Sequence, residues 1–154
     1  LFYHLQRDHR FSEPRSRFYT AEMASAIGYL YLLNIVYRDL KPETVLLDSE
    51  VLKKQPCDRT VDWWCLGTVF YEIIYGLNVS EMYDSILHRP LSLPVGTSSV
   101  VCDMLMGLLQ KDQHRRLVSY TYAQLKVKKP NFFSPINWDD LYYRRITPPY
   151  NPNV

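Results

Sequence analysis

The chain has 154 residues, with 18 Lys and Arg against 16 Asp and Glu and a formal net charge of +2. Charged residues at 22% and apolar residues at 47% exclude charge-driven disorder and a polybasic nucleic-acid binder. Thirteen tyrosines within an aromatic fraction of 14% predict a core of large side chains, and the length sets a prior of one domain.

The start, Leu1-Phe2-Tyr3-His4, reads as a chain entered in mid-element, with no charged-then-apolar targeting pattern. Ser12-Glu13-Pro14 then reads as a helix start, with Ser12 as cap and Pro14 in the first turn. From Arg15 to Leu33, Met23, Ile27 and Leu30 recur at helical spacing, so one long amphipathic helix is expected. Ile35-Val36-Tyr37 and Val45-Leu46-Leu47 predict two short strands around the polar loop Arg38 to Thr44. That loop gathers an acid, two bases and a turn-setting proline, which makes it the expected seat of any chemistry.

Thr60 to Tyr75 is apolar on nearly every face, the pattern of a helix inside a protein. Asp58 or Thr60 can cap it and Gly76 suits its end. Shorter helices are expected over 81–87, over 99–110 with Val100, Met104, Leu105, Leu108 and Leu109 inward, and over 120–126. From Pro130 on, proline and aromatic residues alternate, which reads as an extended tail pinned by Phe132, Phe133 and Trp138. No apolar run reaches the roughly 18 residues that cross a bilayer. Cys57, Cys65 and Cys102 are odd in number and scattered, so reduced thiols and a cytoplasmic or nuclear setting are expected. The four histidines never stand at metal-ligand spacing with a cysteine, so no metal site is assigned to them. Asn78-Val79-Ser80 fits a glycosylation sequon, which chance explains in an intracellular chain.

Tyr37-Arg38-Asp39-Leu40-Lys41-Pro42-Glu43 resembles the catalytic loop of protein kinases. Val61-Asp62-Trp63-Trp64-Cys65-Leu66-Gly67 resembles the buried central helix of the kinase C-terminal lobe, and Gln110-Lys111-Asp112 with Arg115-Arg116-Leu117 its closing part. The tail through Ile136-Asn137-Trp138-Asp139-Asp140-Leu141 and Ile146-Thr147-Pro148-Pro149 is similar to the C-terminal extension of AGC-type Ser/Thr kinases. Lys54-Gln55-Pro56, Asp58 to Trp64 and the ending Asn151-Pro152-Asn153-Val154 resemble the serum- and glucocorticoid-regulated group in particular. The resemblance implies a mainly α fold: a helical C-lobe over 1–129 with a short catalytic-loop β-hairpin, then an irregular tail over 130–154.

Phosphoryl transfer needs a carboxylate to take the hydroxyl proton of the incoming Ser or Thr, and a cation against the charge of the moving phosphate. Asp39 and Lys41 fit those two roles. By resemblance, Asp62 accepts hydrogen bonds from the loop backbone, and Arg116 pairs with Glu50, the acid that ends the activation segment in relatives. Arg38 matches the residue that relatives pair with a phosphate on that segment, and Glu43 and Glu72 match acids that hold a substrate arginine. The plainer alternatives are, for Asp62, an acid merely favoured at a helix N-terminus, the lesser reading, and for Glu72 a surface charge, which weighs as much as the substrate role. Trp63 and Trp64 are core in either reading.

The departures from the family pattern bear on activity. Glycine occurs five times and never as G-x-G, so no phosphate-covering loop is present. Thr44 stands where the loop should end in Asn, and a hydroxyl is a poorer Mg²⁺ ligand than an amide carbonyl. No Asp-Phe-Gly occurs, and Leu46-Leu47-Asp48-Ser49 passes directly to Glu50-Val51-Leu52. Internal deletions are thus expected near 49–50, where three peptide steps span only about 11 Å, and near 77–79. The family acts by ATP- and Mg²⁺-dependent transfer to Ser or Thr in basic sequence contexts. This chain is expected to be inactive, with productive nucleotide binding absent. The alternatives are a docking module for protein partners or substrates of related kinases, and an active kinase whose missing parts lie elsewhere. No nucleic-acid partner is expected, and the sequence sets no oligomeric state.

Overall fold

The computed structural model describes residues 1–38, 40, 60–76, 90–117 and 128–149. The expected helices over 81–87 and 120–126, the strand over 45–47 and both deletion points lie outside them. The described residues form five α-helices: α1 (Phe2–Asp8), α2 (Glu13–Leu32), α3 (Val61–Tyr75), α4 (Ser99–Leu108) and α5 (Trp138–Tyr142), with a 3-10 turn at Asn131–Phe133. None of them is in a strand. Ile35–Tyr37 run without a ladder, so the expected hairpin is not confirmed, and its second half lies beyond the described residues. No helix among them is long and apolar enough to cross a membrane.

The apolar helix α3 is the centre of the packing. Trp63, Cys65, Leu66, Phe70 and Ile73 are wholly buried, which its sequence demands because no face is polar. The shell around it comes from α2, α4 and the tail. On α2 the buried face is Ser16, Phe18, Thr20, Ala21, Ala24, Ile27 and Gly28. Ile27 takes its expected place, whereas Met23 and Leu30 are only partly covered. Small residues at successive i, i+4 positions let α3 approach closely and leave room for its rings. On α4, Met104, Leu105, Leu108 and Leu109 face inward as expected, and Val101 replaces Val100 as the innermost valine.

Caps decide where the helices begin and end. Ser12 and Thr60 occupy N-cap positions, yet neither side chain makes a cap hydrogen bond. Ser98 and Asn137 do: Ser98 Oγ accepts from Val101 N–H, and Asn137 Oδ1 from both Asp139 and Asp140 N–H. The Asn137 cap corrects the expectation of a wholly extended tail. It starts a helical turn that seats Leu141 in the core. Phe132 and Phe133 anchor the tail as expected, with the Phe132 ring tilted against Phe70 at 4.7 Å and Phe133 edge-to-face with Trp138 at 5.2 Å. Arg17 Nε reinforces this by donating to the Phe132 carbonyl at 2.6 Å. Its guanidinium also pairs with Glu13 at 2.7 Å, and Ser98 Oγ donates to the other oxygen of that carboxylate.

Helix α1 was not foreseen. It buries Leu5 and is tied at its end by Asp8, which accepts from Arg7 at 2.8 Å and Arg15 at 2.6 Å. The Arg7 and Arg15 hydrogen bonds hold the Asp8 carboxyl far below the usual carboxylate range, against the smaller effect of desolvation. A depressed carboxylate contributes stability above its ordinary value near about 4 and loses it as pH falls toward the folded value. Between pH 7 and pH 2.5 the thermal midpoint of the parent chain should therefore fall further than that of Asp8→Asn. Equal falls in the two melting series would remove Asp8 from the acid response.

Gly67 marks the closest crossing of α3 with the end of α4. A Cβ there would lie 2.8 Å from Leu109 Cδ2 and 2.9 Å from Leu108 Cβ. Alanine gains roughly 1 kcal/mol of helix propensity over glycine, but overpacking costs about 1–3 kcal/mol. Because Leu108 Cβ is fixed to the backbone and cannot swing aside, Gly67→Ala should lower the urea midpoint. Gly107→Ala, whose Cβ would meet Leu117 Cβ at 3.1 Å, should change it less. A Gly67→Ala chain more stable than the parent would show that the helices can separate freely.

Candidate functional site

The approach to the loop is set by how α2 ends. Asn34 adopts φ 59°, and Ile35 N–H donates to Leu30 O while Asn34 N–H donates to Tyr31 O. This is a Schellman termination with Asn in the position usually given to Gly, and it satisfies two carbonyls of the last turn. The chain then runs extended through Ile35 to Tyr37 and turns at Arg38, where φ is 59°. A left-handed conformation at a residue with a Cβ costs of order 1–2 kcal/mol, so something must hold it.

Asp62 holds it. Tyr37 N–H donates to Oδ2 and Arg38 N–H to Oδ1, each at 2.8 Å. Asp62 is 2% exposed in the first turn of α3. Burying a carboxylate is costly, and two charge-assisted amide bonds together with the helix N-terminus offset that cost. The expectation of bonds from loop backbone and that of a helix N-terminal acid thus describe one arrangement. The Arg38 side chain is exposed and forms no hydrogen bond or ion pair with another described residue.

Arg116 is 3% exposed and links the start of α3 to the segment after α4. Its Nη1 donates to Thr60 O at 2.9 Å and to Thr60 Oγ1 at 3.1 Å, and its Nε to Gln110 O at 3.1 Å. The guanidinium also stacks over the Trp64 ring at 5.0 Å. Thr60 therefore serves as an acceptor for Arg116 rather than as a cap. That partnership joins positions 56 residues apart and leaves no local trace in the sequence. Asp112 organises the turn before it, accepting from His114 N–H at 2.9 Å.

Glu72 lies in the last turn of α3 and is 1% exposed, so it is not a solvated surface charge. Asp39, Lys41, Glu43, Thr44 and Glu50 lie outside the described residues. The site residues brought into view are Arg38 and Asp62, joined directly, with Arg116 bound from the segment after α4 to Thr60 at the start of the buried helix and Glu72 in that helix's last turn.

Asp62→Asn tests the loop clamp. The amide keeps one acceptor and turns a donor toward the other N–H. Loss of a charged hydrogen bond plus a buried unsatisfied donor should cost about 3 kcal/mol. Hydrogen exchange should show the Tyr37 and Arg38 amides losing protection together. Unchanged protection at those two amides would mean that the loop is held by other contacts.

A protein kinase domain model matches residues 1–53. Over its whole length the chain is 52% identical to the serine/threonine-protein kinase Sgk2 of Rattus norvegicus and 50% identical to Sgk2 of Homo sapiens, covering 53% of each. It is likewise 50% identical to Sgk1 of Danio rerio, covering 45% of it. The chain thus spans about half the length of the curated relatives it matches. Each alignment runs over 194 residues against the 154 of this chain, a difference of 40.

Proposed function

We propose, of a chain that belongs to the serum- and glucocorticoid-regulated group of AGC-type Ser/Thr protein kinases, that it is a kinase C-lobe which keeps the scaffold of the catalytic loop and has lost phosphoryl transfer. The observation that carries the reading is the donor set. The family uses ATP and Mg²⁺. Here Thr44 replaces the loop Asn and no Asp-Phe-Gly exists to supply the second ligand. Both oxygens of Asp62 are already taken by loop amides, so it does not substitute for either ligand. The residues present therefore do not fit a magnesium nucleotide, and no step is derived through one.

Two findings support internal shortening as the cause. The alignments exceed the chain by 40 residues, and the kinase domain match stops at residue 53, close to the junction Ser49-Glu50. Asp39 and Lys41 remain in sequence as a proton acceptor and a cation without a phosphate to act on. Glu43 is the acid left to contact a basic substrate, Glu72 being buried at 1% exposure and so matching that role by resemblance alone, and Arg38, Glu50 and Arg116 belong to the loop's support. The N-terminal 129 residues form the lobe in this reading, and 130–154 begin the extension.

A second reading, a docking module for protein partners, is favoured by one observation. Tyr29, Leu32, Leu33, Ile35 and Tyr37 expose 46–63% of their surface along one stretch leading into the loop.

A ligand present at a hundredfold its Kd raises stability by about 2.7 kcal/mol. Millimolar ATP with Mg²⁺ should leave the thermal midpoint of this chain unchanged. Transfer of labelled γ-phosphate to a basic Ser-containing peptide should equal that of Asp39→Asn. A clear upward shift, or transfer above that control, would overturn the inactive reading.

A further inference from the structure

We propose that the cleft between α2 and α5 is a binding site for a planar aromatic carboxylate. It has a volume of about 390 Å³, within the range of small-molecule sites. Its residues are not those of the catalytic loop, so it is independent of the inactive-kinase reading, although Tyr29 and Leu32 also belong to the exposed stretch named for docking.

The floor is formed by Ala24, Ser25 and Gly28 of α2. None carries a side chain beyond two heavy atoms, so the floor is flat and close to the helix backbone. The walls are mainly aromatic: Tyr29 with the aliphatic Leu32 from α2, and Trp138 and Tyr142 from α5. Tyr29 and Tyr142 are 59% and 72% exposed, leaving ring surface that a flat apolar body would cover. Three aromatic walls over a flat floor favour a planar ring, with Leu32 as one further apolar contact.

Charge at the rim selects the substituent. Lys128 Nζ lies 5.1 Å from the centre of the Trp138 ring, held against the wall by the ring's quadrupole. Among the described residues no carboxylate pairs with it. A ligand anion beside the ring would meet this ammonium. Asp139 lines the same cleft and opposes an anion, so it weakens the site and gives a second handle on the sign of the charge.

The test uses the full 154-residue chain and indole-3-acetate, followed by the indole N–H resonance of Trp138, with the buried Trp63 as internal reference. Saturable binding is expected with Kd on the order of 0.1–1 mM, the scale for a ligand of this size. Lys128→Ala should weaken it roughly fivefold, the scale of a rim-exposed ion pair. Asp139→Asn should tighten it, and Ser25→Leu should block the floor. Neutral indole-3-ethanol should bind parent and Lys128→Ala alike. Shifts that stay linear to about 10 mM, a Trp138 signal that does not move, or equal affinity of parent and Lys128→Ala for the acetate would overturn the proposal. Lys128 is exposed, so its removal decides the matter even where Ser25→Leu fails to fold.

Discussion

A carboxylate buried at the start of an apolar helix is the constraint on which the rest of this molecule depends. Asp62 is nearly free of solvent, and its charge is tolerated because two backbone amides and the first turn of α3 replace water around it. The same two bonds hold Arg38 in a left-handed conformation that its Cβ disfavours. The loop's shape is thus tied to the burial of α3. Whatever keeps α3 inside also keeps Tyr37 and Arg38 in place: the small face of α2, the leucines of α4 and the buried phenylalanines of the tail.

The elements legible in the sequence are those whose signal is local. Helix α3 was read to within a residue because a run with no polar face has one place to go. Helix α2 was read as a helix, but its buried face was not. Periodicity looks for large apolar side chains, whereas much of the buried face of α2 is small. What α2 contributes is absence of bulk at Ser16, Thr20, Ala24 and Gly28, which scores as nothing on a hydrophobic wheel. Helix α1 has no side-chain cap and only seven residues, so it carried too little pattern to see. In the tail, proline content outweighed a capping signal that was present. Asn137 followed by Asp139 and Asp140 is an N-terminal signature, and it forms a helix.

The site divides along the same line. Asp62 stood out as an acid in an otherwise apolar helix, and family resemblance supplied its partners by class. The Arg116–Thr60 link could not be found in this way, because its acceptors are a carbonyl and a hydroxyl that occur everywhere in a sequence. Only the folded chain brings them to a guanidinium that also covers Trp64. Glu72 shows the converse. Its place near a helix end is compatible with a solvated charge, yet packing buries it while Tyr71, Ile74 and Tyr75 beside it stay partly exposed.

These distinctions bear on how a kinase lobe can lose its chemistry and keep its architecture. Asp62, Arg116 and the aromatic anchors act on backbone and core, so removing any one of them leaves unpaired loop amides, carbonyls short of a donor or a cavity. Metal-ligating side chains are different. Their donor atoms are selected to face a solvated ion and stay accessible to it, so folding does not depend on them to the same degree. Thr44 in place of Asn, and a chain that passes from Asp48 to Val51 without Asp-Phe-Gly, are departures of that second kind under the proposed reading. Catalytic competence in this fold is therefore the more fragile property. The clamp at Asp62 does not depend on metal-ligating groups, because both of its partners are backbone amides.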